Sequence, residues 1–325
     1  MEKTPIYFNE AKHKYTNNVG NEYISVTTLI GKYEVKFDEK ADKIARACER
    51  IGRNPRHPKY KKYKGKTAAQ IKAGWKREAE KGCAIGNEKH NFLENSVKES
   101  SDFHSVFGSR YVTQSDIDTP VRLYTIEDII DNPNSGKLNL DYFIKAGVKD
   151  RYPKIYKVIE AFVNDDWRVY SEVAVFHNGF LVSGLIDILL VKDGNFIILD
   201  WKTNKDDIRY EAGYWEKDNE GKSVRYKITD DKLKYPLHKL NKSTGIKYDL
   251  QLSLYAVLVE YFGLNHISNI LCHIRREHYT DLDNVELYGK NKVDITYRKY
   301  LKNDVMNMLF DYEDSREGKQ IQMFG

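Results

Sequence analysis

The chain holds 325 residues, 41% apolar and 31% charged, with 53 Lys and Arg against 48 Asp and Glu. That length can bury a sizeable core in one large or two ordinary domains, and the composition is that of a globular protein. No apolar run approaches the ~18 residues of a membrane span, the N-terminus MEKTPIYFNE lacks signal-peptide character, and three scattered cysteines (Cys48, Cys83, Cys272) argue against a disulfide framework or zinc knuckle. A reducing cytoplasm is the expected setting.

The net charge of +5 is unevenly spread, because Arg53 to Lys81 carries +9 and the remainder about −4. Tyr60, Tyr63 and Trp75 are interleaved with those cations. Such a run reads either as a solvated surface or as a segment that contacts nucleic-acid phosphates and bases.

In chain order, residues 5–36 read as a short β-meander, with the turn-rich Asn17-Asn18-Val19-Gly20 between its halves. Asp38 is a candidate cap for a helix to about Arg50, which Pro55 and Pro58 end. A helical pattern from Thr67 runs to Trp75 and beyond. Gly82 and Gly86 then suggest a tight approach, and NEKHNFLENSVKE continues as helix. Residues 100–135 are mixed, with a turn at 131–136, and a helix is expected over Pro153 to Asn164.

Three strands follow: 171–176, 180–191 and 195–203, joined by Asn178-Gly179 and Asp193-Gly194. If Asp193-Gly194 forms a two-residue turn, residue 187 pairs with 200. Asp187 and Asp200 then lie opposite each other on one face, with Lys202 on the same face and Trp201 on the other. If Asn178-Gly179 is also a two-residue turn, Glu172 pairs with 185 and joins that face, though a bulge would move it away. Two carboxylates and a lysine on an apolar hairpin are costly unless something binds there, and Mg²⁺ or Mn²⁺ is the natural occupant.

Residues 204–248 read as an insertion with Asn219-Glu220-Gly221 at its tip. Their Tyr210, Tyr214, Trp215, Tyr226 and Tyr235, with Lys232, Lys234, Lys239 and Lys242, suit either a structural hairpin or a flap that stacks on single-stranded DNA. A strongly apolar helix over 248–263, a strand over 267–277 and a C-terminal helix after the polar lead that begins at Val293 complete the chain. The order predicts an α/β (α+β) fold, a mixed sheet flanked by helices with an N-terminal β-meander. It divides as 1–66 (meander, helix and basic linker) and 67–325 (core with the 204–248 insertion). The histidines other than His90, among them His13, His104, His177, His266 and His273, read as surface or satisfied core residues.

Gly184-Leu185-Ile186-Asp187, Asp200-Trp201-Lys202-Thr203 and Gln251-Leu252-Ser253-Leu254-Tyr255 resemble, in order, the G-x-x-D, D-x-K-T and Q-x-x-x-Y motifs of the RecB-like branch of the PD-(D/E)xK nuclease superfamily. Gly82 to His90, followed by Glu94, resembles that branch's G-x-x-x-H-x-x-x-E helix. The D-W-K-T form is similar to the mitochondrial genome maintenance exonuclease and to phage-encoded exonucleases. The resemblance implies a restriction-endonuclease-like core and a metal-dependent DNA nuclease. The expected activity is an exonuclease working from DNA ends in recombination, repair or replication, plausibly phage-encoded. The alternatives are a structure- or site-specific endonuclease on the same core, or a non-catalytic DNA-binding module.

The resemblance also implies roles. Asp187, Asp200, the Trp201 carbonyl and His90 would ligate Mg²⁺ or Mn²⁺, the imidazole tilting preference toward Mn²⁺. Lys202 would orient the attacking water and offset charge on the phosphate. Gln251 and Tyr255, one helical turn apart, would hold Lys202 or the substrate backbone, and Glu172 and Glu94 would be auxiliary ligands. Some members carry a four-cysteine iron–sulfur cluster, but no cysteine follows Cys272 here, so none is expected. The implied partners are DNA, single-stranded or as duplex with an end, and a recombination or single-strand-binding protein. No membrane is involved, and the host cytoplasm is the compartment if the protein is phage-encoded.

Overall fold

The computed structural model describes residues 3–34, 38–103, 120–204, 206–218, 223–280 and 286–324. His104 and the expected hairpin tip at 219–221 lie outside these residues. The chain divides into a larger unit, Met1–Ile30, Lys89–Thr203 and Tyr248–Gly325, and a smaller one, Gly31–Glu88 and Asn204–Lys247. The fold is α/β, a mixed sheet flanked by helices with an N-terminal strand meander.

That meander is shorter than expected. β1 (Ile6–Asn9), β2 (Lys14–Asn17) and β3 (Glu22–Ser25) pair antiparallel, but α1 (Val26–Lys32) follows at once. The reason is local: the Ser25 hydroxyl accepts the Thr28 N–H at 3.1 Å, an N-cap that turns the chain into a helix. Next come α2 (Asp38–Ile51), α3 (Tyr60–Tyr63), α4 (Ala68–Ser100), β4 (Val121–Arg122), α5 (Ile126–Asp131), α6 (Leu140–Lys145), α7 (Val148–Arg151) and α8 (Pro153–Asn164). The Thr67 hydroxyl accepts from Gln70 N–H while the Gln70 amide accepts from Thr67 N–H, a reciprocal box at the start of α4. α4 is a single helix of 33 residues. Gly82 within it faces open space, which corrects the tight approach expected there.

β5 (Arg168–His177), β6 (Val182–Lys192) and β7 (Asn195–Lys202) form the expected antiparallel meander. Asp193 (φ 50°) and Gly194 (φ 74°) are both left-handed, the backbone a two-residue hairpin turn requires, and Lys192 pairs with Asn195. The other turn is longer than expected: His177 pairs with Val182 around a loop of residues 178–181. Here it is Leu181, at φ 51°, that takes the left-handed backbone, while the His177 ring accepts from Phe180 N–H and Asn178 bonds the Tyr23 hydroxyl. The register slides by two residues, an even number, so Glu172 keeps its predicted face.

After β8 (Gly213–Lys217), β9 (Ser223–Ile228) and α9 (Thr244–Glu260), β10 (Asn265–Thr280) lies parallel to β7, and β11 (Glu286–Arg298) pairs antiparallel with β10. The segment expected as a polar lead from Val293 is therefore strand. Val293 and Ile295, two residues apart, both pack into the core. α10 (Lys302–Phe324) ends the chain. The sheet order is β11-β10-β7-β6-β3-β2-β1-β4, with β5 on β6. Among the described residues no helix is long and apolar enough to cross a membrane.

The main core lies on one sheet face. There Ile155, Tyr156 and Ile159 of α8 pack against Ile188, Leu190, Ile197, Leu199 and Trp201. The odd-numbered β7 residues face α8, so Asp200 and Lys202 face away from it. α9 is anchored by a two-pronged pair: Arg298 reaches both oxygens of the fully buried Asp249, at 2.8 and 2.9 Å. Asp249→Ala, which strands the guanidinium, is expected to cost about 3 kcal/mol. Thermal unfolding checks this, and an unchanged midpoint would assign the pair no stabilising role.

In the smaller unit Tyr63 and Trp75 pack against Ala45, Cys48 and Ile71. Burial pushes the Tyr63 hydroxyl pKa up to about 12, with Cys48 adding to it. These two aromatics of the basic run belong to a small core rather than to an exposed stacking surface.

Candidate functional site

The site grows from a gap along one edge of β6. β5 occupies the other edge along nearly its whole length. On the near edge β3 pairs with Val182 and Ser183, and β7 pairs from Ile188 onward, which leaves Gly184 to Asp187 between them. Asp187 turns its carboxylate into this gap, where Oδ2 accepts the Trp201 N–H at 2.9 Å. In a strand the N–H and C=O of one residue leave by the same edge, so the Trp201 carbonyl is directed to Asp187's side.

Asp200 is 1% exposed, and neither of its oxygens receives an aligned hydrogen bond. Its counter-charge among the described residues is the Lys202 ammonium, with Nζ 2.7 Å from Oδ2. Burial, reinforced by the Asp200 charge, pushes the Asp187 pKa up to about 6 against the pull of His90, Lys202 and the Trp201 N–H. Burial lowers the pKa of Lys202, but Asp200 and Asp187 outweigh it and hold the ammonium above its ordinary value. His90, arriving on α4, places Nδ1 3.7 Å from Asp187 Oδ2.

Glu172 lies opposite Asp187 rather than opposite residue 185, between the Ser171–Ile188 and Val173–Ile186 pairs. Its φ of 56° is left-handed, an uncommon backbone for a non-glycine residue inside a strand. Burial, then the charges of Glu94 and Asp187, raise its carboxyl pKa well above the usual range. Glu94 pairs with Lys98 one turn along α4. The structure thus gathers His90 and Glu94 of α4, Glu172 and Asp187 from the middles of β5 and β6, and Asp200 and Lys202 from the end of β7.

Gln251 Nε2 donates to the Tyr255 hydroxyl at 3.1 Å, so the two helix-motif side chains hold each other. The Tyr255 ring covers Gly184: a Cβ there would come within 2.5 Å of the ring and 2.9 Å of Val26. Lys202 lies against the ring of Tyr248, 5.0 Å from its centroid. Tyr248 and Lys98 were not among the residues singled out in the sequence. Tyr248 stands three positions before Gln251 and Lys98 four after Glu94, helical spacings that could have nominated both.

No three His, Cys, Asp or Glu side chains among the described residues stand already arranged to hold an ion. The donor chemistry nevertheless fits one on a specific point: buried carboxylate oxygens without donors are costly, and a hard divalent cation satisfies them. The chain matches no family model, and no curated protein is similar to it at a significant level.

Proposed function

We propose that this protein is a metal-dependent DNA nuclease of the PD-(D/E)xK type, acting as an exonuclease from DNA ends. The observation that carries the reading is the buried, hydrogen-bond-deficient Asp200 beside the Lys202 ammonium, with Asp187 turned into the same gap. Asp187, Asp200, the Trp201 carbonyl and His90 would hold Mg²⁺ or Mn²⁺. That ion, when bound, supplies a water nucleophile near neutral pH and polarises the phosphate.

The chain's own groups supply the rest. Lys202, kept charged by two neighbouring carboxylates, donates to the attacking water or to a phosphate oxygen and offsets the charge that develops there. Tyr248 and Asp200 restrict where the ammonium can swing. Glu172 and Glu94 flank the site and can take the proton that the attacking water loses. Lysines along 59–66 provide cations for a DNA backbone. Action in recombination, repair or replication, a phage origin, a cytoplasmic setting and a single-strand-binding partner belong to the same proposal.

The test is a panel of end-labelled linear and sealed circular DNA, single- and double-stranded, with matching RNA. Linear DNA is expected to disappear with Mn²⁺, to survive in EDTA, and sealed circles to be spared. Rapid cutting of sealed circles would move the reading to an endonuclease, and degradation in EDTA would remove the metal from it.

A further inference from the structure

The smaller unit holds a cavity of about 290 Å³ that the proposed chemistry does not use. Arg209 stands at its wall, with the guanidinium carbon 5.1 Å from the Trp215 ring centroid and 5.6 Å from that of Tyr226. Two aromatic rings against one guanidinium fix its plane and leave its N–H edge as the binding surface. The rings' faces are thereby engaged, so this pair orients a cation and does not present a base-stacking platform.

The Arg209 Nε is buried and has no hydrogen-bond partner. Asp207 forms a loose ion pair with the guanidinium, 3.7 Å from Nη2 and beyond hydrogen-bond reach. Two acids line the cavity, Asp207 and Glu34; Glu34 is offset by the cavity's own Lys247 at 3.1 Å, and outside the lining Glu216 pairs with Arg225 at 3.1 Å. Lys242 and Lys247 also line the cavity, together with the first residue of α9, Thr244. A helix of 17 residues begins there and adds the positive end of its dipole.

The backbone around Arg209 is fastened in place. The Gly245 N–H donates to the Arg209 carbonyl at 2.8 Å, while Asn241 and Ser243 side chains donate to the Tyr210 carbonyl. A Cβ at Gly245 would come within 2.4 Å of the Tyr210 ring, so glycine is what lets the two segments close. A pre-oriented guanidinium with an unmatched Nε–H, two lysines and a helix start outweigh the two lining carboxylates, Asp207 and Glu34, and form a net positive site for a planar or tetrahedral oxyanion.

We propose that this cavity binds a phosphate group of a nucleotide, Arg209 supplying the directional contact and Lys242 and Lys247 the surrounding charge. That the phosphate belongs to a nucleic-acid strand rests on the nuclease reading; a free mononucleotide shares the same chemistry. The size of the cavity suits one nucleotide's phosphate and part of its sugar.

The test uses the full chain and two probes, a short labelled single-stranded oligonucleotide by fluorescence anisotropy and deoxyadenosine monophosphate by calorimetry. Arg209→Gln is expected to weaken binding of at least one probe about tenfold. For the oligonucleotide it should also reduce the slope of log affinity against log salt by about 0.7, the share of one phosphate. Loss on the oligonucleotide alone assigns a strand phosphate, and loss on the mononucleotide assigns a free one. Lys242→Gln, a surface change, is expected to weaken the same probe about threefold and keeps the test open if Arg209→Gln fails to fold. Unchanged affinity and salt slope in the folded variants would overturn the proposal. Asp187→Asn serves as the control: it abolishes cleavage and spares binding if the nuclease reading holds, and full cleavage by it overturns that reading alone.

Discussion

Asp187→Asn and Lys202→Gln are each expected to cut Mn²⁺-dependent DNA degradation roughly a thousandfold, yet to move the stability of the metal-free protein in opposite directions. On the proposed nuclease reading both would lose activity because each removes a charge that the developing transition state needs: a ligand to the ion in one case, a donor to the phosphate in the other. The stabilities diverge because of the geometry around Asp200. Asparagine can still accept the Trp201 N–H through its amide oxygen, and it removes one of two carboxylates that repel each other in the gap. Its melting temperature is expected to equal or exceed the parent's in chelator. Glutamine at 202 removes the counter-charge that the described residues give to a carboxylate only 1% exposed. That should cost about 3 kcal/mol. Paired melting curves and end-label assays decide it. Full activity in either variant would sink the site, and a destabilised Asp187→Asn beside an unaffected Lys202→Gln would sink the electrostatic account.

Gly184→Ala is expected to destabilise the larger unit by about 2 kcal/mol and to lower activity with it. The added methyl would stand 2.5 Å from the Tyr255 ring and 2.9 Å from Val26, both in packed surroundings. Tyr255 is 5% exposed and its hydroxyl is tied to Gln251, so the ring cannot step aside without carrying the Gln251 face with it. The disturbance therefore reaches Asp200, whose charge the Tyr255 hydroxyl senses. Tyr255→Leu in the same chain opens the space that the ring filled and should recover part of the lost stability. A Gly184→Ala protein that melts with the parent would show that the ring has room to move and that the glycine is incidental.

Much of the larger unit could be read in advance because its strands obey short-range rules. Asp193-Gly194 is a turn whose backbone demands two left-handed residues, and it set the β6–β7 register; the ladder ends at Ile188–Leu199, one position short of the expected Asp187–Asp200 pair. The α8 boundaries followed from a proline start and an apolar period. The errors came where a side chain outbid a propensity. Ser25 capped a helix inside an apparent strand, and the loop after β5 closed on the His177 ring and on Leu181 rather than on Gly179. Glu172 kept its face because the slip was by an even number, which pattern alone does not guarantee.

The sequence by itself determined the hairpin, the spacing of Asp187, Asp200 and Lys202 along it, and the α/β class, since each depends on period and turn chemistry within a few residues. Only the tertiary structure decided the rest. It opened a gap in β6 between β3 and β7, brought His90 to 3.7 Å from Asp187, and set Tyr248 beside Lys202. It also drew Arg209, Trp215 and Tyr226 into one cluster beside the start of α9. These contacts arise from how helices and strands fill space against one another; spacing along a helix could nominate Tyr248, but local periodicity alone does not say which side chains meet.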